Sequence, residues 1–325
     1  MSAENRIIAS FVIPPKLSDK RLDQAAAELM PEHSRSRLQS WVKSGALTVN
    51  GGQCKPRDKV MLGDSLKLNA EPEAQVTWQA EAITLDIVYE DEHILIINKR
   101  AGLVVHPAAG HADGTLVNAI LNIAPEVENL PRAGIVHRLD KDTSGVMVVA
   151  RSLIAHTSLV NQLQTRTMGR EYEAVVVGTL TGGATVDAPI GRHPTERKKM
   201  AVVKAGKPAV THYRVAERFV AHTHVRCKLE SGRTHQIRVH LTHVKHPLVG
   251  DPVYGGRLRL PKGTTEELRD VLSGFHRQAL HARQLTLEHP QTGKTMSWDV
   301  PLPEDFQLLL AALRKHVKDM ESDEF

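Results

Sequence analysis

A polar, weakly patterned stretch, Asn69–Glu81 (NAEPEAQVTWQAE), divides this 325-residue chain into two parts that differ in periodicity. Before it, Leu22, Ala25, Ala26 and Leu29 recur at helical spacing until Pro31 intervenes. A second helix is expected next, with Ser34 as its cap, Leu38, Trp41 and Val42 as its apolar stripe and Gly45 as its stop. Arg35, Gln39 and Lys43 are left for its outer face, with Arg37 nearby. The short strand Ala46–Val49, the Asn50-Gly51 pair that favours a tight hairpin and the alternating Ser65–Leu68 complete a compact helix–helix–hairpin unit. Beyond the divide, strand-like stretches appear at Ile94–Ile97, Val146–Ala150, Ala174–Val177 and Val225–Leu229. Helical patterns are fewer, at Leu116–Ile123, Ala155–Leu163 and Asp305–His316, and do not alternate strictly with the strands. This order predicts an α+β fold with a mixed central sheet rather than a doubly wound one. The expected division is an N-terminal extension over 1–16, the small unit and its linker over 17–81, and a large domain over 82–325. Asp319, Glu321, Asp323 and Glu324 are expected as a frayed acidic tail.

Charge is concentrated in two places. Residues 34–59 hold six Lys and Arg against Asp58 alone, a local +5, and residues 192–214 hold seven against Glu196, a local +6. Since the whole chain carries +5, the remainder is mildly acidic, at −6. Two basic segments on such a background mark a phosphate-binding protein, the alternative being two solvated loops. With 41% hydrophobic and 24% charged residues, neither disorder nor a fibrous repeat fits. Apolar runs such as Ile94–Ile97 and Val146–Ala150 are far too short to cross a bilayer, and Ile7–Pro15, broken by Ser10 and closed by Pro14-Pro15, does not read as a secretory leader. Cys54 and Cys227 are the only cysteines, so no disulfide framework is expected. These features suit a soluble protein of a reducing compartment, the cytoplasm.

No phosphate-binding Gly-x-x-x-x-Gly-Lys loop, dinucleotide Gly-x-Gly-x-x-Gly turn or Gly-x-Ser-x-Gly elbow occurs. His235, His240, His243 and His246 invite a metal, but read as a strand they place His235 and His240 on opposite sides, and His235 then suits a phosphate or base contact better. The densest cluster of chemistry-bearing residues is Gly134–Gly145, GIVHRLDKDTSG. A strand over Ile135-Val136 is expected to run into a polar turn and emerge into Val146–Ala150. That puts Asp140 on a short, firmly held loop, with Asp142, Thr143 and Ser144 fixing the turn through local backbone bonds. On the loop alone, a functional carboxylate and a turn-forming aspartate remain equally open.

HRLDKDTSG closely resembles the signature of the RluA-type pseudouridine synthases. The resemblance continues, in the family's order, through YEDEHILIINK (89–99), LVVHP (103–107), REYEAVVVG (170–178), GKPAVTHYRV (206–215), GRTHQIRVH (232–240), HPLVGDPVYGG (246–256) and QALHA (278–282). Residues 17–70 are similar to an S4 RNA-binding module. Arg100 departs from the family's usual proline, and Arg170 stands where relatives often have lysine. The resemblance implies a mainly antiparallel mixed sheet with flanking helices, the pseudouridine synthase fold. It also implies a cofactor-free isomerase that cuts the uridine N1–ribose bond, rotates the uracil and rejoins it through C5. Asp140 is the implied nucleophile, Arg238 the ion-pair partner that holds it anionic and oriented, and Tyr172 the aromatic that stacks on the target base. Arg138 is implied to fill the gap left by the flipped base, with His137 beside it. Arg35, Arg37, Lys43, Arg192, Lys198, Lys199, Arg233 and His235 are the expected RNA contacts, giving affinity and register. The implied partner is large-subunit ribosomal RNA, at the helix 69 stem-loop, or the assembling large subunit. The chain is expected to act as a monomer, without metal and away from membranes. A non-catalytic assembly factor, the same chemistry on another structured RNA such as transfer RNA, and a histidine-based metal hydrolase are the alternatives.

Overall fold

The computed structural model describes residues 6–31, 33, 35–70, 78–107, 113–196, 199–261 and 263–322. The chain separates into two compact units, Met1–Thr77 and Trp78–Phe325. In the first, the elements run β1 (Ile7–Val12), α1 (Leu22–Leu29), α2 (Arg35–Ser44), β2 (Leu47–Val49) and β3 (Ser65–Ala70). Both helices lie where the apolar spacing puts them; Ser34, the expected cap of α2, is outside the described residues, as is most of the expected linker. The sheet order is β1-β3-β2. Residues 7–12 are therefore no extension: they pair in register with β3, from Ile7 opposite Ala70 to Val12 opposite Ser65. Leu17, Leu22, Leu38, Trp41, Leu47 and Leu66 fill the core beneath the sheet.

The second unit contains β4 (Asp86–Glu90), β5 (Ile94–Lys99), α3 (Leu116–Ile123), β6 (Ser144–Ala150), α4 (Leu153–Gln164), β7 (Gly169–Val177), β8 (Ala184–Asp187), β9 (Ile190–Arg192), β10 (Met200–Val202), β11 (Val210–Arg218), β12 (His222–Leu229), α5 (Gln236–His243), α6 (Glu266–Gly274), β13 (Leu280–Glu288), β14 (Thr295–Asp299) and α7 (Glu304–Ser322). Nine of these strands form one sheet in the order β4-β5-β6-β13-β7-β12-β11-β8, with β14 added on β13. Every pairing in it is antiparallel except β6 with β13. The mixed α+β architecture expected from the element order is the one observed. β9 and β10 form a separate two-stranded hairpin at the start of the basic segment, which continues into β11.

The sheet separates two environments. Side chains alternate across β7, so Tyr172, Ala174 and Val176 join the core beneath α3 and α5, while Val175 packs with Phe306, Leu309 and Leu313 of α7 on the opposite face. The acidic C-terminus differs from expectation: Asp319 and Glu321 belong to the long helix α7, because Phe306, Leu309, Leu310 and Leu313 give it a continuous apolar stripe to bury. Asp323 and Glu324 lie outside the described residues.

Candidate active site

Asp140 sits on the loop that enters β6. Ile135, expected in a strand, makes only one bridge, to Val149, because Arg132, Ala133 and Gly134 just before it all adopt left-handed backbone angles. The loop is fixed largely by distant residues rather than by its own side chains. Lys99 Nζ and the Gly102 amide both donate to the Lys141 carbonyl (2.9 and 3.0 Å), and Arg277 donates to the Asp142 carbonyl. Thr143 Oγ1 accepts from Gln278, and Ser144 Oγ meets His281 Nδ1 at 2.9 Å, so these two hydroxyls lock onto the QALHA segment instead of the local turn. Within the turn, the Thr143 amide donates to the Asp140 carbonyl.

Arg238 faces this loop from α5. The segment expected as a strand is a helix, with His235 as its left-handed cap residue (φ 56°), and it carries Arg238 into the interior, 4% exposed. Arg238 Nη1 donates to Asp140 Oδ2 at 2.9 Å, while its Nε and Nη2 grip both oxygens of Asp251 at 2.7 and 2.9 Å. Burial works against the charge of Arg238, but the bonds to Asp251 and then to Asp140 more than offset it and raise its pKa further. Burial likewise acts to raise the pKa of Asp251, and Arg238 outweighs it, so the net shift is downward. Asp251 also accepts from the Val253 and Tyr254 amides, and the Tyr254 ring lies 5.0 Å from the guanidinium carbon. The Met200 amide donates to the Tyr254 hydroxyl, which is thereby free to donate to His235 Nδ1 at 2.8 Å. That arrangement leaves the proton of a neutral His235 on Nε2, which faces Asp140 Oδ1 at 3.8 Å. Burial favours the neutral ring.

The cleft above this group has a volume of about 840 Å³, and Asp140, Tyr172, Arg238, Arg138, His137, Arg233 and His235 all line it. The Asp140 side chain is 23% exposed, so it is reachable from the cleft while one oxygen is held by Arg238. Tyr172 is 7% exposed, and burial pushes its hydroxyl pKa up. A pinned carboxylate and an aromatic ring lining one cleft are suited to nucleophilic attack on a substrate that offers a flat ring to stack.

The remaining candidates are more dispersed. Arg138 is exposed and donates to Thr234, and Arg233 donates to the Pro208 carbonyl. His137 Nε2 accepts from the Val148 amide at 3.1 Å, and burial first, then Arg170, pull its pKa down to about 3. It is a neutral prop of the loop with no lone pair left on Nε2 for RNA. Lys199 pairs with Glu196 on the basic hairpin, Arg192 is exposed there, and Lys198 is outside the described residues. In the small unit Lys43 is exposed and Arg37 lies over Trp41. Arg35 and Gln39 do not stand free on the outer face, because both bind the buried carboxylate of Asp23, with Arg35 Nη2 at 2.8 Å. Among the described residues no cluster of His, Cys, Asp and Glu could hold a metal ion; His240 is tied to Thr211 and the Ala188 carbonyl, and His246 to the Val177 carbonyl. No helix there is long and apolar enough to cross a membrane. Asp251 and Lys99 were not singled out by sequence reasoning, although both lie in the resembling segments.

Comparisons with known proteins place the chain in a family. The model of the RNA pseudouridylate synthase family matches residues 93–243, and that of the S4 domain matches residues 20–66. Ribosomal large subunit pseudouridine synthase D of Pseudomonas aeruginosa is 63% identical over 93% of this chain and 95% of its own length. The Escherichia coli K12 protein of the same name is 54% identical over 94% of each. Among solved structures, human RNA Pseudouridylate Synthase Domain Containing 4 superposes with a TM-score of 0.58 at 27% identity, covering 70% of this chain and 93% of that one. Human RNA Pseudouridylate Synthase Domain Containing 1 gives 0.53 at 26% identity, covering 72% of this chain and 87% of that one. The chain thus belongs to the RNA pseudouridylate synthases, a family of isomerases, and carries an S4 domain ahead of the catalytic one.

Proposed function

We propose that this chain converts specific uridines of large-subunit ribosomal RNA to pseudouridine, with Asp140 as the nucleophile and the target base flipped into the cleft. The substrate is a helix 69 stem-loop, met in free RNA or in an assembling large subunit, and the enzyme works as a cytoplasmic monomer without a cofactor. The names of the two bacterial relatives support the ribosomal target. The observation that carries the aspartate mechanism is the 2.9 Å contact between Asp140 Oδ2 and Arg238 Nη1 at the floor of an open cleft. With one oxygen held, the other is the atom available to substrate.

In the reaction the N1–C1′ bond breaks and a C5–C1′ bond forms. The proton on C5 is lost and N1 ends protonated, so nothing enters or leaves overall. Attack by the carboxylate at C1′ and attack on the ring both satisfy that balance, and the aspartate is released unchanged. Extruding the base costs a few kcal/mol, and stacking on Tyr172 returns about 1–3 kcal/mol of it. Arg138, on the exposed rim, is suited to occupy the vacated stack, while the basic hairpin and the S4 unit hold phosphates.

Asp140→Asn tests the assignment, because the amide is nearly the same shape but a far weaker nucleophile. The variant is expected to bind a target stem-loop as wild type does and to form no pseudouridine. Turnover near the wild-type rate would remove Asp140 from the role. Mapping pseudouridines in ribosomal and transfer RNA from cells with and without the protein identifies the target, and loss confined to transfer RNA would overturn the ribosomal assignment.

A further inference from the structure

Arg170 is the anomaly of the cleft. It is 6% exposed and lines the cavity, and its side chain makes no hydrogen bond or ion pair with any described residue; its Nε is buried without a partner. Its guanidinium lies so close to Gly232 that a Cβ there would come within 2.6 Å of Nη1. A largely buried cation without a counter-charge is costly, since burial strips part of its hydration, here at Nε, and no described residue replaces it. The two acidic side chains lining the cleft are already committed: Asp140 to Arg238 at 2.9 Å, and Glu230 to Arg166 at 3.0 Å and His212 at 2.8 Å. Of the other arginines lining the cleft, Arg138 donates to Thr234 and Arg233 to the Pro208 carbonyl, while Arg132 is exposed to solvent, so Arg170 is the buried one without a partner. Arg170 and Tyr172 are two apart on β7 and so project to the same face. A charge held ready beside the proposed stacking ring, with no acceptor among the described residues, calls for acceptors on the substrate.

We infer that Arg170 forms a phosphate subsite, which receives the phosphodiester on one side of the target uridine. A phosphate supplies both what the guanidinium lacks, a full negative charge, and a pair of oxygens that match its fork. A uracil carbonyl would supply an acceptor but leave the charge uncompensated. The inference rests on the proposed use of this cleft for a flipped uridine, and it adds the point at which the nucleotide's backbone is gripped.

The test pairs protein variants with RNA carrying one neutral methylphosphonate, placed either 5′ or 3′ to the target uridine. Binding is measured in an Asp140→Asn background, so the RNA stays unmodified and the result is independent of whether Asp140 is the nucleophile. That separate question is answered by turnover of Asp140→Asn itself. Arg170→Met is expected to weaken binding of ordinary RNA by about tenfold to hundredfold. One of the two methylphosphonates should weaken binding of the Arg170 protein by a similar factor, and should have no further effect on Arg170→Met. Arg170→Lys, which keeps the charge, should recover most of the affinity. Without RNA, Arg170→Met should melt at or above the wild-type temperature, because an unpaired buried charge has been removed. Independent, multiplying losses at both positions, wild-type affinity in Arg170→Met, or a lower melting temperature in the RNA-free variant would each overturn the subsite. Equal loss for Arg170→Met and Arg170→Lys, with no sensitivity to either methylphosphonate, would assign the contact to a neutral base atom instead.

Discussion

Tyr172 and Glu173 are neighbours on one strand, yet they serve opposite faces of the sheet. Tyr172 looks into the cleft, whereas the Glu173 carboxylate is 5% exposed behind it, where His224 Nε2 donates at 2.8 Å and Arg283 and Arg226 pair with it. Burial alone would raise the Glu173 pKa; His224 and Arg283 more than offset that and hold it at about 2. A carboxylate depressed in the folded state stabilises the fold above its unfolded pKa, and that contribution disappears as pH falls toward the folded value. The drop from 4.5 to about 2 corresponds to about 3 kcal/mol, lost between roughly pH 4.5 and pH 2. Glu173→Gln is expected to cost about 2–3 kcal/mol at pH 7 and to flatten the acid limb, read as urea midpoints from pH 7 to pH 3. An unchanged acid limb would show that another carboxylate sets it. At this scale the sequence reveals residue types but not partners. Asp140 and Arg238 are 98 positions apart, and their meeting was expected only through family resemblance. Lys99 looks like any strand-end lysine, yet it is 1% exposed and its three donors reach three carbonyls, of Arg100, Leu103 and Lys141. Burial pulls its pKa to about 7, against the pull of Asp142 and Asp140. Nothing local marks such a lysine as buried. Arg35 errs the other way: the carboxylate that claims it lies on the preceding helix.

Elements were legible where apolar residues recur at helical spacing. α3 has the bounds its apolar spacing predicts, and α1 and α2 end where Pro31 and Gly45 place their stops. α5 was read as a strand because Ile237, Val239 and Leu241 alternate with Arg238, His240 and Thr242, a period of two that belongs to a half-buried strand, although Arg238 and His240 are buried too. β1 was missed for the converse reason. Its burial alternates, but outward Ile8 (76% exposed) and Val12 (65%) are as apolar as the inward residues, and the alternation is invisible in the letters. The single parallel pairing, β6 with β13, depends on a position that no pattern announces. Gly145 has φ 119°, and a Cβ there would sit 2.1 Å from the Ala282 carbonyl oxygen of the adjoining strand. Backbone on both sides leaves nothing able to yield, so Gly145→Ala should destabilise by more than about 3 kcal/mol and disturb the loop of Asp140. Gly51→Ala provides the contrast. Its φ is also positive, at 78°, but nothing lies within 4 Å of the added methyl, so about 1–2 kcal/mol is expected. Denaturant midpoints of the two variants compare them directly, and equal losses would show that the close approach of β6 and β13 carries no weight.

For the whole molecule, the decisive feature is that each unit draws its buried core from its own residues. One cluster runs from Ile13 to Ala70, and the others lie between Ile94 and Leu313, with Trp78 packed against the cluster beneath the cleft. A cut after Thr77 therefore removes an independent core and leaves Trp78 in place. The site residues Asp140, Tyr172, Arg238 and Asp251 all belong to the second unit, so the truncated protein retains the proposed chemistry. What it loses is cationic surface: Lys43, Lys55 and Arg57 are exposed, while Lys59 is paired with Asp19 and Arg35 with Asp23. Counterion release sets the consequence. Each phosphate contact contributes about 0.7–0.9 to the slope of log affinity against log salt, so losing three such contacts should flatten the slope by about 2. Residues 78–325 are thus expected to turn over a short target stem-loop at saturation within about twofold of the full chain, with a raised KM and a shallower salt dependence. Binding titrations from low to physiological salt and saturation kinetics measure both. A collapse of kcat with KM unchanged would mean that the S4 unit helps build the reacting site, and a salt slope identical to that of the full chain would mean that its basic face does not touch the RNA backbone.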